Sequence, residues 1–291
     1  FQAEDGIRDS STSRGLGDVY KRQGFLLGGT AGRTTLNGEG LQHQDGHSHI
    51  LASTVPNLRS YDPAFGFEIV ALVREGMHQM YELQEDVFYY LTLYNENYPM
   101  PSLVEIAEQT QVDEGEVLQG VIDGGYCFYR GSDRTECSVH ILASGSIMQQ
   151  ALLARDALED LGVGLCIWSI TSFVELQRDA LACQQHNRDN PQAEARVSRL
   201  ERMFQGETGV FIAVTDYMAA LAQGVAAWMP PNFEVLGTDG YGLSESRTRL
   251  REHFSVDAMA VAEGALSALY RNGLLDQSRF ELAMHGVRDS K

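Results

Sequence analysis

The stretch Ser138–Ser169, SVHILASGSIMQQALLARDALEDLGVGLCIWS, decides the fold. Ser138–Ala143 is a mainly apolar run and reads as a strand, and Ser144-Gly145-Ser146 is a tight turn. Ile147–Leu161 places its apolar residues on one helical face, and Gly164–Ser169 is a second strand. The rhythm continues downstream. Val174–Asn187 reads as a helix, Val210–Thr215 as a third strand, Tyr217–Trp228 as a helix and Phe233–Leu236 as a fourth strand. The loop Gly237–Ser246 leads to a helical turn at Arg247–Phe254 and an Ala-rich helix, Asp257–Asn272, stopped by Gly273. Strands alternating with helices predict an α/β fold whose mostly parallel, mixed sheet is covered by helices on both faces.

Upstream, the same reading gives a second unit. Gly24–Gly29 (GFLLGG) is a buried-strand candidate, Asn57–Tyr61 a short strand and Val87–Tyr94 (VFYYLTLY) a β-branched, aromatic strand. Ala64–Tyr81 carries Phe67, Val70, Ala71, Val73, Met77 and Met80 at roughly helical spacing. The turn-rich Asn95–Pro101 (NENYPMP) marks a boundary. The domains expected are an arm at 1–23, a first unit at 24–103 and a second at 104–291. Residues 1–23 are polar, lack apolar periodicity and resemble the translation of a sequencing adapter, so they are set aside as a non-native or disordered arm.

Charge narrows the partners. The chain of 291 residues has 40 acidic and 22 basic residues, a formal net charge of −18. An acidic surface repels phosphate backbones, so nucleic acid is not an expected partner. No apolar run is long enough to span a membrane. Cys127, Cys137, Cys166 and Cys183 form no C-x-x-C pair, which argues against a zinc site and fits a reducing cytoplasm.

The chemistry concentrates between Asn37 and His49, NGEGLQHQDGHSH, where three histidines, a glutamate and an aspartate crowd a glycine-rich loop. Glu39 and His43 are candidates for a proton-transfer pair. His43, Asp45, His47 and His49 are alternative metal ligands, as in a metal-dependent hydrolase, although the spacing matches no zincin helix. A third reading is a loop without a chemical task. Ser144-Gly-Ser146, Gly28–Thr34 and Asp239 are weaker candidates, best explained as caps and turns.

From GGTAGRTTLNGEGLQHQDGHSHI (28–50) onward, the chain resembles the homodimeric type of pyruvate dehydrogenase. The likeness continues through SYDPAFGFE (60–68), YYLTLYNENYPMP (89–101), LASGSI (142–147), SITSFVEL (169–176), VTDYM (214–218), VLGTDGYGLSESR (235–247) and HFSVDA (253–258). The resemblance implies a transketolase-like fold: the end of a pyrimidine-binding middle domain, then a complete C-terminal α/β domain. It implies a homodimer that uses thiamine diphosphate and Mg2+ to decarboxylate pyruvate. The acetyl group passes to a lipoyl group of the dihydrolipoyl acyltransferase component. Carried over, Glu39 and His43 lie near the reacting centre. No Gly-Asp-Gly with a downstream Asn is present, so the cofactor-binding motifs are absent from this chain and the isolated chain is expected to be inactive. Another reading makes the chain a structural and dimerisation module without catalysis. Asp113–Glu136 matches the family poorly and is expected to be a variant surface hairpin.

Overall fold

The strands assemble into two separate sheets. The structure is a computed structural model that describes residues 23–289 apart from Thr30, residues 37–39, Gln42 and residues 132–137. The expected arm, save Gln23, lies outside the described residues.

The first sheet is parallel, in the order β1-β3-β2, from β1 (Phe25–Gly28), β2 (Leu58–Tyr61) and β3 (Phe88–Thr92). The second has the order β4-β6-β5-β7-β8. Its members are β4 (Tyr126–Arg130), β5 (Val139–Ala143), β6 (Leu165–Ser169), β7 (Val210–Val214) and β8 (Phe233–Leu236). Only β4 runs antiparallel, against β6. Every residue of β5, β6 and β7 is buried, which is why their sequences are continuous apolar runs rather than alternating ones. Helices Met148–Asp160 and Ala258–Arg271 pack on each other, and their alanines (Ala151, Ala154, Ala262, Ala265) let them share one core with β5 and β7. Phe173, Leu176, Phe204 and Tyr217 fill a second core with Trp168 and Phe211 of β6 and β7.

Several expectations need correction. Gly24–Gly29 is not a buried strand: among the described residues β1 pairs only with β3, and Leu26 and Leu27 are 52% and 61% exposed. Of the stretch 113–136 expected to be a hairpin, residues 113–131 form a helix and a strand instead, and the rest lies outside the described residues. Asp113 caps a helix, Glu114–Asp123, by accepting from Gly115 N at 2.8 Å, and Gly124 ends it at φ +106°. The chain then enters β4, which pairs with the open edge of β6 instead of folding back on itself. The helix expected over 64–81 is α-helical over Gly66–Met77 and widens into a π turn at His78–Glu82. That expected over 217–228 splits into Ala219–Gln223 and a 3-10 turn, Ala226–Trp228. Buried Cys166 is disulfide-bonded, so cysteine usage no longer argues for a reducing compartment. Among the described residues no helix is long and apolar enough to cross a membrane.

The two sheets meet through polar atoms at the carboxyl ends of their strands. Asp62, just past β2, donates its amide to Thr171 O at 2.7 Å and accepts from Gly145 N at 3.1 Å. Ser172 Oγ donates to Ser60 O at 2.6 Å. Glu68, fully buried in its helix, accepts from Tyr126 Oη and Ser169 Oγ, both at 2.7 Å. Burial pushes its carboxyl upward, against the pull of these hydrogen bonds. Arg59 pairs with Glu175 at 2.5 Å. Gly145 sits at this seam with φ +51°, and a Cβ there would lie 2.3 Å from Tyr94 Oη.

Candidate active-site loop

The His-rich segment leaves the end of β1 and crosses to the second sheet before returning to a helix, Ser48–Ser53. Its first anchor is Asp216, immediately after β7. Asp216 Oδ1 accepts from Thr34 N (2.9 Å) and Thr34 Oγ1 (2.6 Å); Oδ2 accepts from Thr35 N (3.2 Å) and Thr35 Oγ1 (2.6 Å). With the Thr35 hydroxyl proton committed to Asp216, Ser146 Oγ is left to donate to Thr35 Oγ1, 2.5 Å away. Arg247 Nε donates to Thr35 O at 2.9 Å. Gly32 makes room for the carboxylate: at φ +91°, a Cβ there would lie 2.2 Å from Asp216 Oδ2. Asp216 is fully buried, and burial raises its carboxyl to about 6 despite the threonine hydrogen bonds and Arg251.

The loop is closed at its far side by Gln44. Its Nε2 donates to Leu36 O at 2.8 Å, while its Oε1 accepts from Leu243 N at 2.7 Å, in the loop after β8. Arg33 is buried beside Asp45, Asp216 and Asp239. Desolvation lowers its pKa most, and these carboxylates oppose the shift. Its guanidinium Nη2 lies 3.2 Å from His47 Nδ1.

The candidate residues therefore separate. Glu39 lies outside the described residues. His43 is exposed, within the span closed by Gln44. Asp45 is used as a cap: Oδ1 accepts from the amides of His47 (2.9 Å) and Ser48 (3.0 Å), and Ser48 Oγ donates to Oδ2. His49, expected in the glycine-rich loop, belongs instead to the Ser48–Ser53 helix. Its Nδ1 is 2.5 Å from Ser60 Oγ and its Nε2 is 3.2 Å from Thr92 Oγ1, and Tyr217 packs edge-on at 4.6 Å. Burial lowers its pKa and so favours the neutral ring. His47 faces an arginine and both nitrogens of His49 are engaged, so the histidines do not converge as the hydrolase reading requires. Among the described residues no group of three His, Cys, Asp or Glu side chains could hold a metal ion.

The weaker candidates are turns. Asp239 Oδ1 accepts from Ala219 N at 3.1 Å and caps the helix there. Ser144 and Ser146 are buried against Thr215 and Thr35. Sequence reasoning missed a buried polar cluster at the seam. Asp62 Oδ1 accepts from Thr92 Oγ1 (2.6 Å) and Tyr94 Oη, with Tyr217 Oη 3.5 Å from Tyr94 Oη, while Asp62 Oδ2 is buried without a hydrogen-bond partner. The available signal was a polar residue at the end of a strand, Asp62 after β2 and Asp216 after β7. Such positions in α/β sheets face ligands or partner segments.

A thiamine diphosphate–Mg2+ site needs a carboxylate–amide set around the metal and a cradle for the diphosphate. The described residues do not fit that group: Asp216 and Asp45, which hold the loop, are committed to threonine hydroxyls, amides and Arg33, and Asp62 Oδ2 alone does not make a metal and diphosphate site.

Comparison with known proteins agrees with this geometry. The model described as "Transketolase-like TK C-terminal domain" matches residues 124–257. The transketolase of Leishmania mexicana superposes with a TM-score of 0.59 at 17% identity, covering 90% of this chain and 32% of that one. Two α/β units joined in this way are a transketolase-like fold. The model described as "Pyruvate dehydrogenase E1 component middle domain" matches residues 8–101. The pyruvate dehydrogenase E1 component of Pseudomonas aeruginosa is 45% identical over 255 residues, 87% of this chain. That of Escherichia coli K12 is 44% identical over 264 residues, 90% of this chain. The chain is similar to these relatives and spans about 28% of their length.

Proposed function

We propose that this chain is part of an enzyme that decarboxylates pyruvate and transfers the acetyl group to a lipoyl group of a dihydrolipoyl acyltransferase. The observation that carries the reading is the 45% identity over 255 residues to a pyruvate dehydrogenase E1 component. Residues 24–103 form the end of the middle domain and residues 104–291 the C-terminal domain. Thiamine diphosphate and Mg2+ are held by the remainder of the whole protein, a homodimer. A cytoplasmic location is part of this reading.

Within that site His43 hydrogen-bonds or moves a proton at the substrate oxygen, and Glu39 belongs to the same network. An exposed imidazole on a loop fastened at its base suits this task, because general acid–base groups need access to substrate and a fixed position. The C-terminal domain acts as scaffold. Its crevice between the ends of β5 and β7 holds Thr34 and Thr35.

The reading is tested on the purified chain of 291 residues, supplied with pyruvate, thiamine diphosphate and Mg2+. No carbon dioxide release is expected. Turnover would show that this chain holds its own cofactor. The reading frame upstream of residue 24 should encode a Gly-Asp-Gly and a downstream Asn; a native start codon near that point would contradict the assignment.

A further inference from the structure

In open α/β sheets the crevice at the carboxyl ends of the strands, where successive connections depart in opposite directions, is the ordinary ligand site. In the second sheet that point lies between β5 and β7. The helix after β5 leads to β6 on one side, and the chain returns to β7 on the other. Here the crevice is filled from within the chain. Thr34 and Thr35 enter it and place two amides and two hydroxyls on one buried carboxylate, that of Asp216. Ser146, from the turn after β5, closes the other side of Thr35. The stretch so held, Arg33–Leu36, leads directly into the segment carrying Glu39 and His43, and Gln44 ties the far end back to Leu36 O.

We propose that Asp216 is a positioning residue for the reaction: it fixes the base of the loop bearing Glu39 and His43 from the neighbouring domain. This deepens the proposed function and rests on it. A carboxylate is suited to the task because it only accepts, and all four groups facing it donate. Asparagine, nearly the same shape, would turn an amide NH2 toward donors and release one side of the loop. A displacement of about 1 Å at a reacting group costs on the order of 100-fold in rate.

The test has two parts. In the 291-residue chain, Asp216→Asn and Thr35→Val should speed amide exchange at Thr34 and Thr35 at least tenfold, with Ile141 in β5 unchanged. In the complete enzyme, the same variants should lower kcat about 10- to 100-fold with KM altered less than about threefold, and Thr35→Ser, which keeps the hydroxyl, should restore most of kcat. Glu39→Gln and His43→Ala run alongside. If these two abolish turnover while Asp216→Asn and Thr35→Val leave kcat intact, the positioning role is wrong and the site reading stands. If Glu39→Gln and His43→Ala leave kcat intact, the site reading fails and the positioning role fails with it. Uniform loss of exchange protection, Ile141 included, would mark Asp216 as a general stability residue and overturn the proposal.

Discussion

Asp216 should give this protein a stability–pH slope opposite to that of an ordinary surface carboxylate. Its carboxyl is raised from 3.8 to about 6, chiefly by desolvation, with Thr34, Thr35 and Arg251 pulling it back. A raised value means that the folded state holds the proton more tightly than the unfolded chain. The folded state therefore gains stability from this group as pH falls through about 6, and the gain is complete below 3.8. The full span corresponds to about 3 kcal/mol, of which roughly half develops between about pH 7.5 and about pH 5. Many other acids titrate in the same window, so the measurement is a difference. Urea unfolding of the parent chain and of Asp216→Asn is followed at several pH values across it. The variant is less stable throughout because it loses acceptors. The gap between the two should widen by about 1 kcal/mol from about pH 7.5 to about pH 5. Parallel curves, or a gap that narrows on acidification, would refute the reasoning that burial dominates the carboxyl's environment.

Three further outcomes follow from packing and backbone geometry. Ile141→Ala empties a fully buried site in the central strand β5 and should cost about 2–5 kcal/mol, measured by denaturant unfolding; a loss below about 1 kcal/mol would place β5 outside the core. Gly145→Ala forces a left-handed residue and pushes a methyl toward Tyr94 Oη, so thermal unfolding should report a loss of at least about 1–2 kcal/mol, whereas an unchanged Tm would contradict the seam. Leu27→Lys charges the exposed edge of β1, which has no strand partner among the described residues, and should reduce self-association of this chain in light scattering; equal association would mean that the edge is not the adhesive surface.

The centre of the second sheet was legible in the sequence because β5, β6 and β7 are buried on both faces and therefore mainly apolar. Val139–Ala143 and Val210–Val214 depend on no distant residue to be recognised. β1 misled for the same reason: Phe25–Gly28 is just as apolar, but an apolar run does not reveal whether anything covers it. β4 was missed because an edge strand takes its partner from a sheet that only the fold assembles.

For the site, local spacing located the loop but not its support. Three histidines close together suggested a metal. Yet His49 turns inward to Ser60 and Thr92, and His47 turns to Arg33. The groups that hold the loop, Asp216, Ser146 and Arg247, lie more than a hundred residues away in the chain. No periodicity connects them to it.

The central claim is that Glu39 and His43 belong to a pyruvate-decarboxylating site that this chain only partly supplies. It is tested most directly by pyruvate-dependent carbon dioxide release from the complete gene product, with thiamine diphosphate and Mg2+, before and after His43→Ala. The account predicts turnover by the parent enzyme and a fall of at least about 100-fold in the variant, since general acid–base groups contribute about 100- to 10,000-fold. A parent enzyme that ignores pyruvate, or a His43→Ala variant as fast as the parent, would contradict it.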